Sequence, residues 1–130
     1  MNLIKIIEKY RLKIFIICRI NSKRLPNKIT KKILNLSLLE ILIIRLMKKF
    51  GNQNIIICTS GKKNNFYTKI AKKYNVKVFY GDEKNIFKRV SDASKKFKVS
   101  NFVRVTGDNP LTDPDTLAKM ILIFIKKKLD

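Results

Sequence analysis

The sequence predicts an α/β protein, a Rossmann-like parallel sheet with helices on both faces. Four short segments, residues 14–18, 54–58, 76–80 and 102–105, are near-continuous apolar runs, the pattern of strands buried on both sides. Between them lie stretches whose apolar residues recur at three- and four-residue steps, as in crossover helices. No repeat, low-complexity segment or linker divides the 130 residues, so the alternation implies one sheet with right-handed connections.

Residues 1–12 place Leu3, Ile4, Ile6 and Ile7 at helical spacing, interrupted by Lys5, Glu8, Lys9 and Arg11. This reads as a helical amino-terminal extension, and without a continuous apolar region or a small-residue cleavage site it does not read as a signal peptide. Residues 13–130 form the α/β unit. Its first strand is Ile14-Phe15-Ile16-Ile17-Cys18. Ser37-Leu38-Leu39-Glu40 is a capping box, and the helix it opens runs to Phe50 before Gly51 stops it. The most apolar stretch, residues 38–47, is too short and too often charged to span a bilayer.

The second strand, residues 54–58, meets a polar break at Thr59-Ser60-Gly61. Phe66, Ile70 and Tyr74 then fall four apart on a helix that Asn75 terminates. Residues 76–80 are the third strand, and Ile86, Val90, Ala93 and Phe97 make a stripe that reads as core. The fourth strand ends in Thr106-Gly107-Asp108-Asn109-Pro110. Asp113-Pro114-Asp115 is a helix start with an Asp cap, Pro at the first helical position and an acid in the first turn. The last helix, residues 116–128, carries Leu117, Met120, Ile121, Phe124 and Ile125 on one side, completing the order βαβαβαβα.

The formal net charge of +21 would ordinarily point to nucleic acid or an anionic surface. The lysines, however, are spread singly or in pairs among abundant Ile and Asn, without an aromatic ladder, so nucleic-acid binding is disfavoured. Histidine is absent, which removes Ser-His and Cys-His catalysis. Cys18 and Cys58 each close an apolar run and read as buried small hydrophobes in neighbouring strands, in keeping with a reducing, cytoplasmic setting.

Chemistry concentrates in two loops. Residues 19–28 carry Arg19, Arg24 and Lys28 at intervals, with Lys23 and the Ser22 hydroxyl between them and no acid. Following directly on a strand, such a loop lies at the carboxyl end of the sheet, where open α/β proteins bind ligands. It suits polyphosphate by charge-assisted hydrogen bonds, or else it is a solvated basic loop. Its spacing matches neither the Walker nor the Gly-x-Gly-x-x-Gly pattern. Asp108, in the turn after the fourth strand, emerges at the same edge of a parallel sheet. It reads either as a carboxylate for Mg²⁺ beside the phosphates or as a turn residue.

Together the two loops resemble the CTP-dependent cytidylyltransferases of the SpsF-like branch, akin to CMP-Kdo synthetase and acylneuraminate cytidylyltransferase. The resemblance rests on Arg19-x-x-Ser22-x-Arg24-Leu25-Pro26-x-Lys28, on Leu38-Leu39-Glu40, on Cys58-Thr59-Ser60, on Val78-Phe79-Tyr80-Gly81, and on Arg104 to Leu111 with Asp113-Pro114. It implies a fold of the nucleotide-diphospho-sugar transferase type. It also implies Arg19, Ser22, Arg24 and Lys28 as ligands of the CTP triphosphate, Asp108 as the Mg²⁺ ligand, and Thr59 and Ser60 as lining of the nucleotide pocket. Arg19, Lys28 and Asp108 are the residues it implies in catalysis. Relatives carry glycine at the positions of Asn21 and Asn27, and Asn tolerates positive φ better than most residues.

The resemblance also implies a reaction, attack of a sugar hydroxyl on the α-phosphate of CTP, forming a CMP-sugar of surface polysaccharide biosynthesis with release of pyrophosphate. The substrates would be CTP and an acidic or other sugar. Because the chain stops at Asp130, shortly after the metal motif, the sequence reads as the nucleotide-binding half of such an enzyme, truncated before the sugar pocket. Little or no CMP-sugar synthesis is then expected, along with self-association or a companion chain. The alternatives are a non-catalytic nucleotide-binding fragment and, further off, a nucleic-acid-binding module.

Overall fold

The computed structural model describes residues 2–21 and 23–128. Helix α1 (Leu3–Lys9) leads into strand β1 (Leu12–Ile17), so Leu12 already belongs to the sheet. The loop after β1 ends in a 3₁₀ turn, Lys28–Thr30, and a small hairpin follows, β2 (Lys32–Ile33) with β3 (Leu36–Ser37). The expected alternation then runs α2 (Leu38–Phe50), β4 (Ile55–Ser60), α3 (Asn65–Tyr74), β5 (Lys77–Gly81), α4 (Ile86–Lys96), β6 (Asn101–Thr106) and α5 (Pro114–Lys127).

The hairpin is absent from the sequence-based order. Its strands are two residues long, too short to show an alternating pattern, and its turn places Leu34 (φ 49°) and Asn35 (φ 69°) in the left-handed region. Positive φ at both central residues suits a tight hairpin, but Leu at the first of them is not a residue that signals one.

All four strands of the main sheet are parallel, in the order β5-β4-β1-β6. β1 is central, with Ile17 opposite Cys58 on one side and Thr106 on the other. The three strands whose following loops carry the chemistry are therefore neighbours, and their carboxyl ends open together.

The two faces are covered unequally. On one side Ile14, Ile16, Ile55 and Ile57 pack against α1, α2, α3 and α5 through Ile7, Leu42, Ile43, Tyr67, Ile70 and Ile121. On the other, Phe15, Ile17, Ile56 and Cys58 meet α4 alone, through Val90 and Ala93. Beyond the reach of α4, Phe102 of β6 stacks on Phe15 at 5.0 Å between ring centroids yet stays 44% exposed. The expected stripe of α4 is thus core only in part: Ile86 is 40% exposed and lies at the mouth of a cleft. On α5 the buried residues are Ala118 and Ile121, while Met120, expected on the packed side, is exposed.

Helix α2 shows how local chemistry fixes these elements. The Ser37 hydroxyl accepts from the Glu40 N–H, and the Glu40 carboxylate accepts from the Ser37 N–H at 2.8 Å, so both halves of the capping box are made. The other carboxylate oxygen accepts from the Tyr74 hydroxyl and the Lys73 ammonium of α3, tying the two helices together. Burial pushes the Glu40 carboxyl up, but the Ser37, Lys73 and Tyr74 hydrogen bonds outweigh it and hold the group below its ordinary value. A folded-state pKa below the unfolded one stabilises the protein above the unfolded pKa, and the contribution disappears as pH falls through the folded value. Glu40→Ala should therefore cost about 1–3 kcal/mol at neutral pH. Its deficit relative to wild type should shrink below about pH 4, read by urea titration across pH.

Candidate functional site

The carboxyl end of β1 is anchored from both sides before the chain enters the basic loop. The Cys18 N–H donates to the Cys58 carbonyl at 3.2 Å, and the Gly107 N–H donates to the Ile17 carbonyl at 2.9 Å. The loop then closes on itself as the Asn27 N–H reaches the Ile20 carbonyl at 3.0 Å. Asn27 sits at φ 58°, the left-handed conformation for which its side chain is suited. Ile29, 2% exposed, plugs the following turn into the core. Arg19, Lys23 and Arg24 are thus exposed cations on a loop whose two ends are fixed.

That anchoring carries Lys28 to the second motif. Its ammonium lies 3.4 Å from an Asp108 carboxylate oxygen, a contact between groups 80 positions apart in the chain. Both side chains are about half exposed, so the ion pair contributes little to stability and leaves the carboxylate open to a ligand. The turn bearing Asp108 is held by the Asn109 N–H on the Thr106 carbonyl. Gly107 is required sterically, since a Cβ there would fall 2.5 Å from the Cβ of Cys18.

Two clefts flank the basic loop. One, of about 620 Å³, lies over the ends of β1 and β6 and is lined by Arg19, Lys23, Arg24, Lys28, Lys84, Arg89, Arg104, Glu83 and Asp108 among others. The other, of about 650 Å³, lies over the ends of β1 and β4, where Arg19, Asn21, Lys23, Ser60, Lys62, Lys63, Asn64, Tyr67 and Glu83 contribute. Seven cations against two carboxylates give the first a strongly positive lining.

The expected site residues fall as follows. Arg19, Arg24, Lys28 and Asp108 converge on the β1/β6 cleft, and Ser60 lines the β1/β4 cleft. Thr59 lines neither. It lies inside β4, 1% exposed, with its hydroxyl donating to the Tyr67 phenol oxygen at 3.0 Å, because the strand continues two residues past the apolar run. Ser22 lies outside the described residues.

Several lining residues carry no sequence signal of their own, among them Glu83, Lys84 and Asn64. Arg89 had one: it stands three residues after Ile86 and four before Ala93, so it falls on the buried stripe of α4, where a charge is out of place. It is 3% exposed, and its guanidinium donates to the Asp82 carbonyl at 2.9 Å and the Glu83 carbonyl at 3.3 Å. The Asp82 carboxylate accepts from the Asn85 and Lys84 N–H groups, which hold it below the ordinary carboxylate range.

The cysteines supply no nucleophile. Cys18 packs on the α2 side of the sheet and Cys58 on the α4 side, so adjacent strands carry them on opposite faces and both are free thiols. Burial pushes each up to about 12, so each stays protonated.

The donor set fits Mg²⁺ only in company. Among the described residues no group of three or more His, Cys, Asp or Glu gathers, and the cationic β1/β6 cleft holds two carboxylates, Glu83 and Asp108, of which Asp108 stands beside Lys28. Mg²⁺ takes one or two protein carboxylates and completes its octahedron with phosphate oxygens and water. No helix of the described residues is long and apolar enough to cross a membrane.

Comparison with known proteins agrees with this geometry. The family model described as Cytidylyltransferase matches residues 14–128. The Bacillus subtilis spore coat polysaccharide biosynthesis protein SpsF is 34% identical over 114 residues, covering 83% of this chain and 48% of its own. The uncharacterized protein MJ1063 of Methanocaldococcus jannaschii is 38% identical over 113 residues, 86% of this chain and 46% of its own. A cytidylyltransferase structure from Leptospira borgpetersenii superposes with a TM-score of 0.81 at 34% identity, covering 89% of this chain and 49% of that one. A CMP-2-keto-3-deoxy-manno-octonic acid synthetase structure, at 17% identity, shares the fold with a TM-score of 0.76 over 91% of this chain and 48% of that one. The chain spans about half the length of the curated relatives it matches. With the family model covering nearly the whole sheet and both chemical loops, the chain belongs to the cytidylyltransferase family, in its SpsF-like branch.

Proposed function

We propose that the chain binds CTP with Mg²⁺ across the two clefts and is the nucleotide-binding half of an enzyme that makes a CMP-sugar for surface polysaccharide, in the cytoplasm. The observation that carries the proposal is the meeting of Lys28 with Asp108 in a cleft whose lining cations far outnumber its carboxylates. Arg19, Arg24 and Lys28 would bind the triphosphate and neutralise the charge that accumulates on departing pyrophosphate. Asp108 would hold Mg²⁺, which would supply Lewis-acid polarisation of the phosphates. Positioning and fixed charge, rather than a protein nucleophile, would carry the transfer to a hydroxyl of an acidic or other sugar. Ser60 would contact the nucleoside, while Thr59 acts from beneath by fixing Tyr67.

A second reading, a nucleotide-binding half that works with another copy or a companion chain, is favoured by the half-exposed Phe102 on edge strand β6. Light scattering on the purified chain distinguishes a self-associating species from a monomer awaiting a partner.

Titration calorimetry tests the nucleotide site. CTP with Mg²⁺ should bind, and Arg24→Ala should weaken binding by about 1.5–3 kcal/mol through loss of a charge-assisted contact. Equal affinity of the two proteins would remove the basic loop from the site. Tighter binding of a random DNA duplex, with a steep salt slope, would favour the nucleic-acid reading instead.

A further inference from the structure

We infer that Glu83 reads the ribose of the bound nucleotide and that the buried guanidinium of Arg89 is the positioning residue that fixes it; the inference rests on the CTP reading above. Among the described residues only Arg19, Lys23 and Glu83 line both clefts, so Glu83, in the turn between β5 and α4, marks their junction from outside the basic loop. A nucleotide whose polyphosphate lies toward Lys28 and Asp108 and whose base lies over β4 must pass its sugar through that junction. A ribose presents two neighbouring hydroxyl donors there, and an ionised carboxylate, which only accepts, is the side chain suited to both.

The carboxylate is also free for the task. Among the described residues Glu83 is the one acid lining the β1/β4 cleft, which it shares with Arg19, Lys23, Lys62 and Lys63, yet no ion pair to it occurs among them. Its backbone, by contrast, is closely held. Arg89 donates to the carbonyls of Asp82 and of Glu83 itself, and the Asp82 carboxylate receives the next two N–H groups of the loop. Gly81 makes room for this clamp, since a Cβ there would lie 2.6 Å from the Arg89 Cγ. Burying a guanidinium against carbonyls, with no carboxylate partner among the described residues, carries a desolvation cost. What the arrangement yields is a short loop that presents Glu83 at one place.

The test compares CTP with 2′-deoxy-CTP, each with Mg²⁺, by titration calorimetry on wild type, Glu83→Ala and Arg89→Lys. Wild type should prefer CTP by about tenfold, the scale of one partly exposed hydrogen bond to a charged group. In Glu83→Ala the ratio of the two affinities should fall to about one, whatever the loss of negative charge does to both. Arg89→Lys keeps the charge but not the fork that grips two carbonyls, and should lower the same ratio. A purely structural Arg89 would lower the melting temperature and leave the ratio intact. Should Arg89→Lys not fold, Glu83→Ala on the exposed loop still decides. Equal binding of CTP and 2′-deoxy-CTP by wild type, or an undiminished preference in Glu83→Ala, overturns the inference and leaves CTP binding standing. Binding of neither nucleotide overturns both.

Discussion

Asp108→Asn should abolish the Mg²⁺ dependence of CTP binding while changing the stability of the free protein by less than about 0.5 kcal/mol. The first half follows from the donor set: Asp108 and Glu83 are the two acids in the β1/β6 cleft, and Asp108 is the one beside Lys28, where the phosphates are expected. An amide keeps the shape but removes the charge that makes a hard-cation ligand, so the site should lose the tenfold or larger gain in affinity that a bridging cation confers, about 1.4 kcal/mol or more. The second half follows from exposure, because a half-exposed pair at 3.4 Å holds little of the fold together. Calorimetry with and without Mg²⁺, beside a thermal melt, measures both. A large fall in melting temperature with metal dependence intact would make Asp108 a structural turn residue.

Gly107→Ala should do the reverse, damaging site and fold together. The added methyl would meet the Cys18 Cβ at 2.5 Å and the Ile16 Cγ2 at 3.4 Å, on the strand from which the basic loop leaves. Either β6 lifts from β1, breaking the Gly107 N–H to Ile17 carbonyl bond, or the strand end shifts and takes Asp108 away from Lys28. Overpacking of this kind costs about 1–3 kcal/mol. Because the contact is with the Cβ of Cys18, trimming that residue to Ala should not rescue the variant. Urea denaturation of Gly107→Ala and of the double variant Cys18→Ala/Gly107→Ala checks this. Full rescue by the second substitution would show that the sulfur, not the backbone approach, sets the spacing.

The sheet was legible because its strands announce themselves. A parallel sheet covered on both faces needs continuous apolar runs, and Ile14-Phe15-Ile16-Ile17 and Ile55-Ile56-Ile57 leave no other reading. Helix ends were legible where a cap residue closes them, Ser37 with Glu40 and Asp113 through their side chains and Asn75 through its left-handed backbone. The meeting of residues 19–28 with Asp108 followed from parallel topology alone, since strands pointing the same way present their following loops at one edge.

What the sequence withheld depends on how elements are covered. Thr59 looked like a loop residue because it is polar, and its burial is explained by a single partner, Tyr67, that only the fold supplies. Ile86 and Met120 obey the helical period yet face the cleft or solvent, because α4 alone covers one face and the buried positions of α5 are Ala118 and Ile121. Glu83 is silent in the sequence, an acid in a polar turn, and acquires meaning only from the clefts that share it.

A crystal of this chain soaked with CTP and Mg²⁺ tests the nucleotide site directly. Triphosphate oxygens should lie against Arg19, Arg24 and Lys28, with Mg²⁺ beside Asp108 and the base over the end of β4. A nucleotide bound elsewhere, or a triphosphate in the basic loop with its metal away from Asp108, would contradict this arrangement.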